Sequence, residues 1–244
     1  AKSEASTANT PATASAIDDN PLARPVHVIP MGVDIARFAN GDRAALRALV
    51  AEDNFLLLFV GRLVGKKGVD DLLRAVTILP DALKRRTTLW IVGDGDEKPG
   101  LEELAKQLAV AQQTRFWGMV RNQDLPNYYA AADLFIAPSI AAPSGDTEGQ
   151  GVVLLEAFAA RVCVLATRVG GIEAVVRDQV TGVLVQPNQP KEIALAIERL
   201  MNDAPLCATL ADNAYTEVKQ LYDWQRIAGD FDRLYRRFLT LPHQ

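Results

Sequence analysis

Cysteine and histidine are scarce in this chain of 244 residues, which contains two of each. Cys163 and Cys207 are too few for a disulfide framework, and neither histidine has a spacing typical of a zinc ligand. Cys163 lies in an apolar run, which is typical of a small core residue. We therefore expect no disulfide scaffold and no zinc cluster. The low cysteine content fits a reducing, cytoplasmic location.

The sequence also lacks a basic excess and a long apolar run. It has 26 Lys and Arg against 30 Asp and Glu, a formal net charge of −4, whereas duplex-binding domains usually carry surplus positive charge. The longest clean apolar run, residues 55–60, is too short to cross a bilayer, and residues 1–20 lack the apolar core of a signal peptide. We expect no nucleic-acid partner, and membrane contact that is at most peripheral, at the inner face.

Two regions differ in composition. Residues 1–25 are rich in Ala, Ser and Thr and are interrupted by three prolines, so they offer little apolar area to offset the entropy of ordering. We predict a flexible linker or tail over 1–25 and one folded domain over 26–244. With 49% hydrophobic and 23% charged residues, the chain has the composition of an ordinary globular protein.

Apolar runs alternate with helical patterns throughout the folded region. Continuously apolar strands separated by helices predict an α/β fold, a Rossmann-like, doubly wound parallel sheet covered on both faces. Two further helices are expected at the C-terminus, the last with an aromatic face between Trp224 and Phe238. The predicted strands cover residues 55–60, 89–92, 115–117, 134–137, 162–166 and 183–185, and the predicted helices cover 68–79, 97–112, 124–131, 151–160, 171–177, 190–201, 204–219 and 223–239.

A glycine-rich cationic turn, residues 61–68, follows the first strong strand. It is not a P-loop, because three residues rather than four separate Gly61 from Gly65, and Lys66 is followed by Lys67 instead of Ser or Thr. Cations beside backbone N–H groups at the carboxyl edge of a sheet suit a diphosphate. A solvated basic turn explains the motif about as well when it is taken alone.

A second loop, Gly93-Asp94-Gly95-Asp96, follows the next strand. Asp94 and Asp96 form an Asp-x-Asp pair that could hold a divalent cation against a diphosphate. The alternative is a tight turn whose carboxylates cap the following helix, and we favour it.

The stretch from Thr147 to Glu156 is the most informative. A glycine-rich loop opens a helix here, so N–H groups at Gly151, Val152 and Val153 are available to a phosphate, which the helix dipole also favours. Glu148 lies in the loop and Glu156 about two turns into the helix, so they suit two separate hydroxyl clusters rather than one acid/base pair. Apolar neighbours on both sides of Glu156 predict partial burial and a partner for it.

Together these residues resemble the C-terminal domain of the family 4 retaining glycosyltransferases, which have the GT-B fold, over about 26–239. Any one marker is weak, but their order and spacing are specific. The markers are Ile29-Pro30-Met31-Gly32-Val33-Asp34, Gly61-Arg62-Leu63, Lys67-Gly68, Gly93-Asp94-Gly95, Phe116-Trp117-Gly118, Ala137-Pro138-Ser139, Glu148 with Glu156, and Gly182-Val183-Leu184-Val185.

The resemblance implies roles for these residues. Arg62 and Lys67 would grip the donor diphosphate and stabilise the leaving nucleoside diphosphate, while Glu148 would hold a hydroxyl of the transferred sugar. Glu156 would hold the ribose hydroxyls, and the segment at Gly118 to Val120 would accept the base edge. No metal and no other cofactor are implied. The residues expected at the donor site are Gly61, Arg62, Lys67, Gly118, Met119, Glu148, Gln150, Gly151, Val152, Val153 and Glu156.

Two departures from the family pattern matter. Gln150 stands where the family commonly has Phe, which bears on the shape of the donor-sugar pocket. The N-terminal Rossmann domain, which supplies the acceptor site, is absent from the sequence, so we expect it to act in cis or in trans.

The function expected is retaining transfer of a hexose-type sugar from a nucleotide sugar, such as a UDP- or GDP-sugar, to an unidentified acceptor, with this chain as the donor-binding half. The alternatives are a non-catalytic nucleotide-binding or partner-docking module and a metal-dependent transferase that uses Asp94 and Asp96.

Overall fold

The computed structural model describes residues 6–18 and 26–239, and its strands form two sheets. The strands are β1 (Ser6–Ala8), β2 (Val26–Val28), β3 (Phe55–Val60), β4 (Thr87–Val92), β5 (Thr114–Gly118), β6 (Leu134–Ala137), β7 (Cys163–Thr167) and β8 (Val183–Val185). Strands β3 to β8 form one parallel sheet in the spatial order β5-β4-β3-β6-β7-β8, and β1 pairs in parallel with β2.

Helices cover both faces of the large sheet. They are α1 (Pro11–Asp18), α2 (Ile35–Ala39), α3 (Arg43–Arg47), α4 (Val69–Ile78), α5 (Asp81–Arg85), α6 (Lys98–Gln107), α7 (Leu125–Ala131), α8 (Val152–Ala159), α9 (Ile172–Val175), α10 (Pro190–Asn202), α11 (Ala204–Leu221) and α12 (Trp224–Leu239). Apolar residues of α4, α6 and α10 pack on one face, and those of α2, α7, α8 and α11 pack on the other.

Strand β3 shows why its sequence is apolar without alternation. Leu56 and Leu58 enter the layer that contains α7 and α8, whereas Leu57 and Phe59 enter the layer that contains α4 and α6. Successive side chains of a strand point to opposite faces, so a sheet covered on both sides needs an apolar residue at every position. The predicted doubly wound α/β sheet is confirmed.

The helices differ from the predicted ones in two ways: three short helices were not predicted, and one predicted helix ends early. Helices α2, α3 and α5, of five residues each, were not predicted because one turn and a half is too short to show helical periodicity. The helix expected over 97–112 ends at Gln107, because Ala109 adopts a left-handed backbone conformation with φ 54°.

The segment expected to be a flexible linker or tail, 1–25, contains regular structure where it is described, over residues 6–18. Thr10 caps α1, since its Oγ1 accepts a hydrogen bond from the backbone N–H of Thr13 at 3.1 Å. The N–H of Ile29 donates to the carbonyl of Ala8 at 2.9 Å and continues the pairing of β1 with β2. The prediction missed this because small residues such as Ala8 and Ala14 are buried only by contacts with distant parts of the chain.

The aromatic face of α12 is partly uncovered. Ile227 is fully buried, but Trp224 is 45% and Tyr235 is 63% exposed, while Phe238 makes an edge contact with His27 of β2. Among residues 6–18 and 26–239, no helix has the length and apolar character needed to cross a membrane.

Candidate functional site

The candidate site lies where the order of the large sheet reverses. Strand β3 has β4 on one side and β6 on the other, so the connections from β3 and from β6 leave in opposite directions. In open parallel sheets such a reversal leaves a crevice at the carboxyl ends of the strands, which is where ligands bind. Lys67 follows β3 and Glu148 follows β6, which places both predicted residues at this crevice.

Close backbone contacts hold the loops that follow β3 and β6 together. Gly68 has φ 62°, and a Cβ there would lie 2.0 Å from the carbonyl oxygen of Pro138, so only glycine fits. The N–H of Ile140 donates to the carbonyl of Lys66 at 2.8 Å. The cationic turn is thereby fixed beside the loop that carries Glu148.

Lys67 and Glu148 form an ion pair at the centre of the crevice. Their side chains are only 15% and 14% exposed, and Ser139 lies within 3.5 Å of the same Glu148 oxygen. This pair and Gly151, at the beginning of α8, line one small cavity. A cation, a carboxylate and a helix N-terminus therefore meet at one point, and their binding of a phosphate and a sugar hydroxyl stays a prediction.

Helix α8 directs its amino end at this point. Gly151, with φ 68°, precedes the first helical residue, and Val152 and Val153 form the first turn. N–H groups in the first turn of a helix have no carbonyl partner within that helix and, with the helix dipole, favour an anion. These are the three N–H groups that the sequence predicts as phosphate ligands.

Glu156 lies farther along α8 in different surroundings. The hydroxyl of Tyr129 donates to Glu156 Oε2 at 2.7 Å, and Tyr129 itself is completely buried. Burial raises the pKa of Glu156, while the Tyr129 hydrogen bond and the positive charge of Arg37 oppose that rise. The partial burial and the partner predicted for Glu156 are both present, and its carboxylate is distinct from the ion pair of Glu148.

Gln150 connects the glycine-rich loop by hydrogen bonds to Met31, near the beginning of the folded domain. Its side-chain oxygen accepts from the N–H of Met31 at 2.5 Å, and its side-chain nitrogen donates to the carbonyl of Met31 at 3.1 Å. Gln150 is 2% exposed. Both ends of the amide are thus occupied by Met31, so Gln150 positions the loop of Glu148, and its contact with a donor stays a prediction.

Arg62 faces a different space from Lys67. It lines an open cleft of about 820 Å³ between α4 and α6, together with Lys66 and Asp146. Lys66 donates to Asp146 at 2.9 Å and, with the charge of Arg62, lowers the pKa of that carboxyl. The two cations that the resemblance assigns to one diphosphate thus line different cavities, and the role of Arg62 stays a prediction.

The segment expected to accept the base lies next to the second glycine loop. Gly118 has φ 66°, its carbonyl accepts from the N–H of Gly93 at 2.9 Å, and Met119 is 83% exposed. Asp94 accepts a hydrogen bond from the N–H of Gly95 at 2.8 Å, as expected of a turn-forming carboxylate. Gly61 is joined to the same edge, because its N–H donates to the carbonyl of Val92 at 3.0 Å.

Residues that the sequence did not indicate also border the site. Thr10 is buried, and its methyl group lies 2.8 Å from where a Cβ on Gly171 would be, while Asn9 lies beside Gly149. Tyr129 contacts the predicted carboxylate of Glu156. These residues come from segments far apart in the chain, so no local spacing connects them to the motif at 147–156.

A family model described as glycosyl transferases group 1 matches residues 44–217. This range contains the cationic turn, the ion pair and helix α8. The chain belongs to the group 1 glycosyltransferase family. The resemblance seen in the sequence motifs is thereby confirmed.

Relatives of this glycosyltransferase chain are longer than it is. An uncharacterized glycosyltransferase of Methanocaldococcus jannaschii is 35% identical over 188 residues, which are 77% of this chain and 46% of the relative. A D-inositol 3-phosphate glycosyltransferase of Salinispora arenicola is 37% identical over 93% of this chain and 53% of the relative. The chain thus spans about half the length of these curated relatives.

Solved glycosyltransferase structures share the fold. HepE of Anabaena in complex with UDP and glucose has a TM-score of 0.86 and 27% identity, and the match covers 96% of this chain and 64% of HepE. Sucrose-phosphate synthase from Thermosynechococcus elongatus also has a TM-score of 0.86, at 26% identity, with 98% and 59% covered. The GT-B architecture predicted from the motifs is confirmed.

Replacing Glu156 with Gln should separate stability from binding. Because the pKa of Glu156 is raised in the folded state, ionisation of Glu156 lowers the free energy of unfolding. This loss of stability is absent below the ordinary pKa of 4.5 and develops as the pH rises through the pKa of the folded state. Gln keeps an oxygen for Tyr129 and removes this loss. We expect the Glu156→Gln variant to match or exceed the wild-type unfolding temperature at neutral pH, with a smaller gain at mildly acidic pH.

Nucleotide affinity should change in the opposite direction, because a neutral amide is a weaker acceptor for ribose hydroxyls. We expect Glu156→Gln to weaken binding about tenfold, the loss typical of one charge-assisted hydrogen bond. Glu52→Gln, at an exposed position, is the matched control. If calorimetry gives the Glu156→Gln variant the same nucleotide affinity as the wild type, Glu156 does not contact the nucleotide.

Proposed function

We propose that this chain is the nucleotide-sugar-binding half of a retaining glycosyltransferase that moves a hexose-type sugar to an acceptor. The observation that carries the proposal is the meeting of Lys67, Glu148 and the amino end of α8 at the reversal point of the sheet. A nucleoside diphosphate sugar needs a cation, N–H donors and a hydroxyl acceptor close together, and this crevice offers all three.

The ion pair of Lys67 and Glu148 can exchange its partners for those of a ligand. When a diphosphate binds, its oxygens compete with Glu148 for the ammonium of Lys67, which releases the Glu148 carboxylate for a sugar hydroxyl. Each group then exchanges one charged partner for another, so neither charge is left unpaired in a partly buried place.

Leaving-group stabilisation is the chemistry that this arrangement supports. Lys67 and the α8 N–H groups would stabilise the charge that develops on the diphosphate as the bond to the sugar breaks, and Arg62 would add charge from the rim. The carboxylates of Glu148 and Glu156 serve as hydroxyl acceptors in this scheme. We propose that no metal is needed, and that Asp94 acts as a turn residue, which its hydrogen bond to Gly95 supports.

We further propose that a second Rossmann domain, in the same chain or in a separate one, supplies the acceptor site. The half-length coverage of the curated relatives supports this. A cytoplasmic location belongs to the same proposal and is supported by the scarcity of cysteine, of which the chain has two residues.

Calorimetric titration of the chain with UDP, GDP and ADP, each with and without EDTA, tests the donor site. We expect one nucleotide to bind selectively and without response to EDTA, and Arg62→Ala to weaken that binding about tenfold. Binding abolished by EDTA would favour a metal site at Asp94 and Asp96. Absence of binding by all three nucleotides would contradict the proposal.

A partner-docking module is the second candidate. The exposure of Trp224 and Tyr235 on α12 favours it, since large aromatic residues exposed on one helix face are typical of protein contacts. It becomes the better explanation if none of the nucleotides binds.

A further inference from the structure

Cys163 and Cys207, the two cysteines of the chain, lie side by side although 43 other residues separate them in the sequence. Cys163 begins β7 and Cys207 lies in α11, which packs directly on that strand. The two side chains line one open cavity of about 250 Å³. Neither cysteine belongs to the crevice, because Cys163 is at the amino end of its strand and the crevice is at the carboxyl ends.

The surroundings of the two thiols differ. Cys163 is 2% exposed, whereas Cys207 is half-buried. Cys207 is held in the cavity by a hydrogen bond from its sulfur to the carbonyl of Leu200, at 3.3 Å. A reagent that enters the cavity therefore reacts first with Cys207, which is the more accessible of the two thiols.

We propose that Cys163 and Cys207 form a redox-active dithiol that a low-molecular-weight disulfide converts to an intramolecular disulfide. This site is independent of the proposed nucleotide-sugar binding, since it uses other residues at the opposite edge of the sheet. Linking β7 to α11 would join the central sheet to a helix that also packs on α8.

The exchange proceeds in two balanced steps. The Cys207 thiolate attacks one sulfur of the small disulfide, whose S–S bond breaks, and the released thiolate takes up a proton. Cys163 then loses its proton to water in the cavity and attacks the sulfur of Cys207, which expels the second small thiolate, itself protonated. The protein loses two electrons and two protons, and the small disulfide gains them as two thiols.

The acidity of the two thiols supports this order of attack. The hydrogen bond from Cys163 lowers the pKa of Cys207, although burial opposes that effect. The same interaction and burial raise the pKa of Cys163. The more exposed thiol is therefore also the one that ionises first, as an attacking cysteine requires.

Treatment of the reduced chain with glutathione disulfide, followed by intact mass measurement and thiol counting after denaturation, tests the proposal. We expect both thiols to disappear together, a mass loss of two hydrogen atoms, and a monomer that retains no glutathione. A reducing agent should restore both thiols. Peptide mapping should place the new bond between Cys163 and Cys207.

Two single variants identify the steps. Cys163→Ser should stop at the mixed disulfide and retain one glutathione on Cys207, whereas Cys207→Ser should stay unmodified while folded because Cys163 is buried. Cys163→Ala replaces Cys163→Ser if the serine variant does not fold. A wild-type chain that retains glutathione, forms linked dimers or keeps both thiols free would overturn the proposal.

Discussion

Replacing Lys67 with Ala should abolish tight binding of a nucleoside diphosphate and also weaken the fold. Lys67 and Glu148 are both about five-sixths buried, so removing the lysine leaves a carboxylate without its partner in a poorly solvated place. Breaking a buried ion pair by removing one partner typically costs about 3–5 kcal/mol, and the residual exposure here places the cost near the lower end. We expect an unfolding temperature lower by roughly 5–10 °C, measured by calorimetry.

The double variant Lys67→Ala/Glu148→Gln distinguishes binding from stability. Because the amide that replaces the Glu148 carboxylate carries no charge, we expect the double variant to recover most of the lost stability. Nucleotide binding should not recover, since the cation for the diphosphate is still missing. Recovery of both properties together would show that Lys67 supports only the fold.

Lys106→Ala is the control for Lys67→Ala, because it removes a lysine whose ion pair is exposed. Lys106 pairs with Glu103 at 3.3 Å, but both side chains are more than half exposed. Pairs of this kind contribute about 0–1 kcal/mol. We expect wild-type nucleotide affinity and an almost unchanged unfolding temperature in this variant.

Replacing Gly171 with Ala should have the second large effect, through the backbone beneath the candidate site. A Cβ on Gly171 would lie 1.6 Å from the carbonyl oxygen of Gly149, and the N–H of Gly171 donates to the carbonyl of Glu148 at 2.9 Å. The added methyl group must push the loop of Glu148 away from α9. We expect a loss of about 3 kcal/mol in the free energy of unfolding and at least tenfold weaker nucleotide binding.

Gly100→Ala is the matched control, since it makes the same chemical change in a helix. No atom lies within 4 Å of a Cβ on Gly100, which is in α6. Alanine is favoured over glycine inside a helix by about 1 kcal/mol, so this variant should be slightly more stable than the wild type. An unfolding temperature of Gly171→Ala equal to that of Gly100→Ala would contradict the close packing of the 149 and 171 loops.

The local structure of the candidate site was predicted well where one short segment contains it, whereas the binding roles of its residues stay predictions. The stretch from Thr147 to Glu156 combines a glycine-rich loop, a helix start and two carboxylates, although α8 begins at Val152 and Glu156 therefore lies about one turn into the helix rather than the two expected. The ion pair of Glu148 with Lys67 was not predicted, because the two residues belong to loops that follow different strands. The partner of Glu156 could not be named, since Tyr129 belongs to another helix.

Gln150 and Thr10 show what limited the prediction. The hydrogen bonds of Gln150 to Met31, 119 residues away, were not predicted, and the contact of Gln150 with a donor stays a prediction. Thr10 belongs to a segment that composition assigned to a flexible tail, and it is buried against Gly171. The surroundings of both residues depend on contacts between distant segments, which local sequence patterns do not predict.

The sequence by itself determined the α/β class, the parallel sheet and the family, because hydrophobic periodicity and motif order are properties of short segments. The tertiary structure alone decided which polar groups meet: Lys67 with Glu148, Tyr129 with Glu156, Met31 with Gln150, and Cys163 with Cys207. Arg62 and Lys67, five positions apart, were assigned to one diphosphate, and the turn between them directs the two cations into different cavities. The direction of a side chain in a tight turn depends on backbone angles fixed by neighbouring loops, and residue spacing does not encode those angles.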